Sequence, residues 1–122
     1  AIELVKDLSS KGYELAVASS SPKNEIIKNL TQLGIINFFK VIVSSEEVPR
    51  SKPKPDVFLR AAKLLKVNPS DCIVIEDTRN GTLAAKAAGM YCIGFANPDY
   101  PVQNLSMADM IITDLSNFDY NI

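Results

Sequence analysis

The chain has 122 residues, 47% of them hydrophobic and 22% charged, with 13 basic against 14 acidic side chains and a net charge of −1. That length suffices for one domain with its own core, and the near-neutral balance supplies neither a basic stripe for nucleic acid nor a field for a membrane surface. Histidine is absent, which excludes histidine-activated nucleophiles and histidine metal sites, and no apolar run reaches the roughly 18–20 residues that span a bilayer.

Cys72 and Cys92 lie in apolar runs without C-x-x-C spacing. Both read as small core residues with free thiols, in a reduced, cytoplasmic protein. Taken in order, residues 1–11 carry Ile2, Leu4, Val5 and Leu8 at helical spacing and stop at Gly12. A doubly wound fold opens with a strand, so an amino-terminal part is expected to be missing before this helix. Residues 13–18 have a strand's composition and end in Ser19, Ser20, Ser21 and Pro22. Pro22 predicts a first helical position, with Ile26, Ile27, Leu30 and Leu33 facing inward and Gly34 as the stop.

Residues 39–43 predict a short strand, and residues 44–54 a polar, proline-bearing surface loop. Pro55 and Asp56 open a helix whose inner face is Phe58, Leu59, Ala62 and Leu65. The run at residues 72–75, Cys-Ile-Val-Ile, predicts a strand buried on both faces. It stops at two adjacent carboxylates, Glu76 and Asp77. Thr78 then offers an N-cap to a helix over residues 79–88. Residues 91–95 and 110–113 predict two further strands, and residues 115–122 a tail packing Phe118 against the sheet. The alternation implies an α/β, doubly wound, Rossmann-like parallel sheet with right-handed crossovers and helices on both faces.

In a parallel sheet all carboxyl strand ends share one edge, where such folds bind ligands. Three features converge there: the serines at 19–21, Lys52 in the loop after the second strand, and the Glu76–Asp77 pair. A hydroxyl beside backbone N–H groups at a helix start suits an oxyanion. A lysine adds a point charge for phosphate, and paired carboxylates suit Mg²⁺. Singly, an N-cap, a solvated lysine and a surface charge would account for each; together, at one edge, they point to phosphoryl transfer.

The segments AVASSSP, SKPKPDVFLRAA, CIVIEDTRNG and AAKAAGM resemble, in order and spacing, the haloacid dehalogenase-like hydrolases, specifically the branch containing beta-phosphoglucomutase. The resemblance implies that Ser19 hydrogen-bonds the transferring phosphoryl group and that Lys52 neutralises phosphate and aspartate charge. It implies that Glu76 and Asp77 serve Mg²⁺, Asp77 foremost, and that Ser20, Ser21 and Lys23 line the phosphate or substrate site. The family's DxDGT-like first motif, which carries the aspartate nucleophile, has no counterpart in this chain, and neither does the substrate-selecting cap. Residues 1–122 therefore resemble the carboxyl-terminal portion of a core domain, lacking the first strand and the cap. The chain alone is expected to be inactive; in a longer protein an aspartyl-phosphate would form on a small phosphorylated metabolite.

The absent strand would lie between residues 13–19 and 72–75, so a second chain or a missing amino-terminal fragment is expected to fill that slot. A non-catalytic binding module derived from the family is the alternative. A receiver-type phospho-acceptor domain fits less well, because its acidic pair would come first and not last.

Overall fold

Period-two alternation along the strands assigns the layers. In a computed structural model, which describes residues 2–101 and 103–115, β1 (Leu15–Ser19) and β2 (Phe39–Ser44) pair in parallel. Ala16, Ala18, Val41 and Val43 pack to one side of this ladder, and Val17 and Ile42 to the other. The first side is covered by α3 (Asp56–Leu65) through Val57, Phe58, Ala61 and Ala62, and α4 (Arg79–Ala87) continues the same apolar cluster beside it through Ala84 and Ala85. The second is covered by α1 (Ile2–Ser10) and α2 (Lys23–Gln32), through Ile2, Val5, Ile26 and Leu30. A second parallel array comprises β3 (Ile73–Glu76), β4 (Tyr91–Phe95) and β5 (Met110–Ile112). This is the α/β architecture with helices on both faces that the alternation predicts.

The hydrogen-bonded ladder, however, is not continuous. The strands form two parallel arrays, β1 with β2, and β3–β4–β5 in that order, and the break between β1 and β3 falls where the resemblance places the absent first strand. Between β1 and β3 runs a cleft of about 780 Å³, lined by Leu4 and Leu8 of α1, Ala16, Ile73, Ile75 and Phe58. On the opposite side from α1 and α2 the layer is continuous: α3 packs on β1 and β2, α4 packs on β3 and β4, and the two helices touch.

The same cleft corrects the reading of β3 as buried on both faces. Val74, on the α3–α4 side, is buried, but Ile73, turned toward the cleft, is 45% exposed. The inward helical faces are also narrower than predicted. Ile27, Leu33 and Leu59 are exposed while Ile26, Leu30, Val57 and Phe58 are buried, because the covered stripes follow i, i+4 pairs and end one residue short. Pro22 is the residue before α2 and not its first helical position. Phe118 lies outside the described residues. Among the described residues no helix is long and apolar enough to cross a membrane.

Cys72 and Cys92 are both free, Cys92 fully buried and Cys72 partly so. Burial pushes the Cys92 thiol up to about 11, with a Thr82 hydrogen bond opposing it in part. Burial and then the Asp71 charge raise the Cys72 thiol. At pH 8 only about one part in a thousand of Cys92 is thiolate, the reactive form. A disulfide-exchange reagent is therefore expected to label the native protein slowly, Cys92 last, and to count two thiols in denaturant. Prompt labelling of both natively, or none in denaturant, would contradict this placement.

Candidate active site

The serine loop is built by strand register. β1 and β2 pair Ser19 opposite Ser44, so the chain leaving β1 runs beside the chain leaving β2 and is laced to it. Ser44, with no exposed surface, donates its hydroxyl to the Ser21 carbonyl at 2.6 Å. Ser45 Oγ donates to the Ser20 carbonyl at 3.2 Å. Glu46 Oε1 accepts from the Lys23 N–H at 2.6 Å, a carboxylate where the first turn of α2 leaves its donors unpaired. Within the loop, Ser19 Oγ accepts from the Ser21 N–H at 3.1 Å.

Lys52 reaches the same edge from the loop after β2. Its side chain is only 10% exposed, and its ammonium lies 4.9 Å from the centroid of the Phe58 ring. Nζ donates to the Ala18 carbonyl at 3.2 Å and to Glu76 Oε2 at 2.9 Å. One buried cation thus spans the cleft, from the end of β1 to the end of β3. The other Glu76 oxygen accepts from Thr78 Oγ1 at 3.2 Å. Thr78 caps α4 as predicted, accepting from the Gly81 N–H at 3.0 Å. Gln103, from the loop beyond β4, accepts from the Arg79 N–H at 2.9 Å.

These groups enclose a polar cleft of about 510 Å³. Ser19, Ser20, Ser21, Lys52 and Glu76 line it together with Thr78, Arg79, Asn80 and Gln103. Five of the seven residues singled out in the sequence are thus brought together. Asp77 is exposed and borders the neighbouring 780 Å³ cleft between β1 and β3. Lys23 is not in the lining: its ammonium bonds the Ile42 carbonyl at 2.7 Å and Glu47 at 2.7 Å. Bonding to Lys23 holds the Glu47 carboxyl below the usual range.

Sequence reasoning missed Ser44, Arg79, Asn80 and Gln103. Ser44 had a legible signal, since Ser-Ser-Glu-Glu over residues 44–47 is a capping-box pattern, and the box forms. Gln103 had none, because its contact depends on how the loop after β4 returns to α4.

Mg²⁺ takes near-octahedral oxygen ligation. Asp77 makes no hydrogen bond or ion pair with the described residues, whereas Glu76 is occupied by Lys52 and Thr78. Among the described residues no group of three carboxylate, thiol or imidazole side chains could hold a metal ion. These residues alone therefore do not make a Mg²⁺ site.

A doubly wound core thus brings a serine loop, a buried lysine and Glu76 together at its carboxyl edge. Comparison with known proteins identifies the family. The family model described as haloacid dehalogenase-like hydrolase matches residues 1–95. The validoxylamine A 7'-phosphate phosphatase of Streptomyces hygroscopicus subsp. limoneus is 35% identical over 116 residues, 95% of this chain and 54% of the relative. The beta-phosphoglucomutase of Bacillus subtilis (strain 168) is 36% identical over 114 residues, 93% of this chain and 48% of the relative. A crystal structure of a hydrolase from Deinococcus radiodurans R1, with bound phosphate and sodium, superposes with a TM-score of 0.87 at 30% identity, over 95% of this chain and 54% of that one. The chain belongs to the haloacid dehalogenase-like hydrolases, in the beta-phosphoglucomutase-like branch. It spans about half the length of these relatives.

Proposed function

We propose that residues 1–122 are the carboxyl-terminal portion of the core of a cytoplasmic phosphatase or phosphomutase acting on a small phosphorylated metabolite. The observation that carries this reading is the shared cleft of Ser19, Lys52 and Glu76. The roles follow from counting protons. Ser19 Oγ already accepts from the Ser21 N–H, so its own proton is the one to offer, and a phosphoryl oxygen is the fitting acceptor. Lys52 has three N–H bonds, and two point at the Ala18 carbonyl and Glu76. The third remains for a phosphoryl or carboxylate oxygen. Ser20 and Ser21, on the same wall, would orient the substrate.

The attacking carboxylate would come from a segment bearing the DxDGT-like motif, placed in the cleft between β1 and β3. The aspartyl-phosphate it forms would then be resolved by water or by a second substrate hydroxyl. Bound Mg²⁺ would screen the phosphoryl oxygens; this chain's contribution to holding it is Asp77, and Glu76 only if it leaves Lys52. Lys23 has no part in this reading as it stands, its ammonium being held by Glu47.

The test is hydrolysis of p-nitrophenyl phosphate with and without Mg²⁺. The chain alone is expected at background. The chain joined to an amino-terminal half carrying the motif is expected to turn over with Mg²⁺, and to lose that activity with Asp77→Asn or with Lys52→Ala. Robust Mg²⁺-dependent turnover by the isolated chain would mean a nucleophile within residues 1–122. A folded, joined protein that turns over nothing would leave the non-catalytic reading.

A further inference from the structure

Gly81 is the third residue of α4 and is buried, and its φ lies outside the left-handed region. Backbone freedom therefore does not explain a glycine inside a helix, where alanine is better by about 1 kcal/mol. Space does. A Cβ built on Gly81 would overlap Cγ and Cδ of Glu76 and stand 2.5 Å from its Oε1. The side chain of Glu76 lies in the room that a residue with a side chain would occupy, pressed against the first turn of the helix that follows it.

The hydrogen bonds extend this contact to Lys52. The Gly81 N–H donates to Thr78 Oγ1, which leaves the single hydroxyl proton of Thr78 for Glu76 Oε1. The second oxygen of Glu76 then faces Lys52 Nζ at 2.9 Å, where both side chains are about nine-tenths buried. A buried ion pair holds only in good geometry with its remaining lone pairs satisfied, and here one side of that geometry is an absent methyl group.

We propose that Gly81 is a positioning residue: its missing side chain is the seat from which Glu76 serves as the counter-ion of Lys52, leaving Asp77 as the outward member of the acidic pair. As a statement about catalysis this rests on the phosphoryl-transfer reading. The test does not, because it reads the ion pair and not turnover. In ¹⁵N-labelled protein, the Lys52 ammonium resonance and the urea midpoint are compared among the parent, Gly81→Ala, Glu76→Ala and the double variant. Gly81→Ala is expected to lose the parent Lys52 resonance as Glu76→Ala does, and to lower the urea midpoint. In the Glu76→Ala background the same change is expected to leave the Lys52 resonance where it was and to raise the midpoint, since an alanine then fills an empty seat in a helix. If Gly81→Ala alone does not fold, the double variant is expected to fold. A Gly81→Ala protein with the parent Lys52 resonance, an equal loss of midpoint with and without Glu76, or a double variant that also fails to fold would each overturn the proposal.

Discussion

Replacing Lys52 with alanine is expected to lower the unfolding free energy by about 3 kcal/mol, the usual scale for stripping one partner from a buried ion pair. Glu76 is 12% exposed at its side chain and would be left with only the Thr78 hydroxyl. The Ala18 carbonyl at the end of β1 would lose its donor as well. The loss comes from leaving a charge unpaired and not from forfeiting a strong bond, and that distinction can be measured. The double change Lys52→Met with Glu76→Gln removes both charges at similar volume and is expected to cost under about 1 kcal/mol. Urea unfolding of the three proteins decides. If Lys52→Ala costs as little as the double change, the pair is solvated and the geometry described above is wrong.

The second large effect concerns the cleft between the two strand arrays. An extended apolar segment of about five residues, joined ahead of α1, is expected to pair with β1 and β3 together and raise the melting temperature by about 10 °C. Ordering such a segment costs about 1–2 kcal/mol per residue. Two facing rows of backbone bonds at about 1 kcal/mol each, and apolar side chains buried at about 1.5–3 kcal/mol each, outweigh it. At this chain length about 1 kcal/mol corresponds to roughly 3–5 °C. The site-resolved readout is amide exchange: backbone groups of Leu15–Ser19 and Ile73–Glu76 facing the cleft should become protected, while those of β5 should not change. A fused segment that leaves β1 and β3 amides exchanging as before would show that the cleft does not accept a strand. Strand edges left facing such a cleft are prone to pair with other chains, so the unfused protein is expected to self-associate more than the fused one.

Local patterns in the sequence carried most of the fold. The alternation Ala16–Val17–Ala18 and Val41–Ile42–Val43 distinguishes the two sides of β1 and β2 without reference to any other element. Ser19, Lys52 and Glu76 could be gathered in advance because a parallel sheet fixes which ends share an edge. What depended on tertiary placement was not legible. Nothing local reveals that Glu76 turns to Lys52 while its neighbour Asp77 turns to the open cleft; side chains alternate along a strand, but their partners come from other elements. Lys23 illustrates the opposite error. Its position after the serine loop suggested a role at the phosphate, yet the nearest anion in space is Glu47, on the turn following β2. The break between the two arrays was anticipated only as a missing strand, since no residue in β1 or β3 announces an unpaired edge.

The buried hydroxyl of Ser44 has a consequence for preorganisation. Because it grips the Ser21 carbonyl from the end of β2, the serine loop takes its shape from pairing within residues 15–44 and needs no other segment to set it. A segment that supplies the nucleophile would have to organise only itself. On the proposed reading, the reorganisation entropy of a phosphate-binding wall would already be spent in forming the first strand pair, and the wall would meet the developing charge as a fixed set of dipoles.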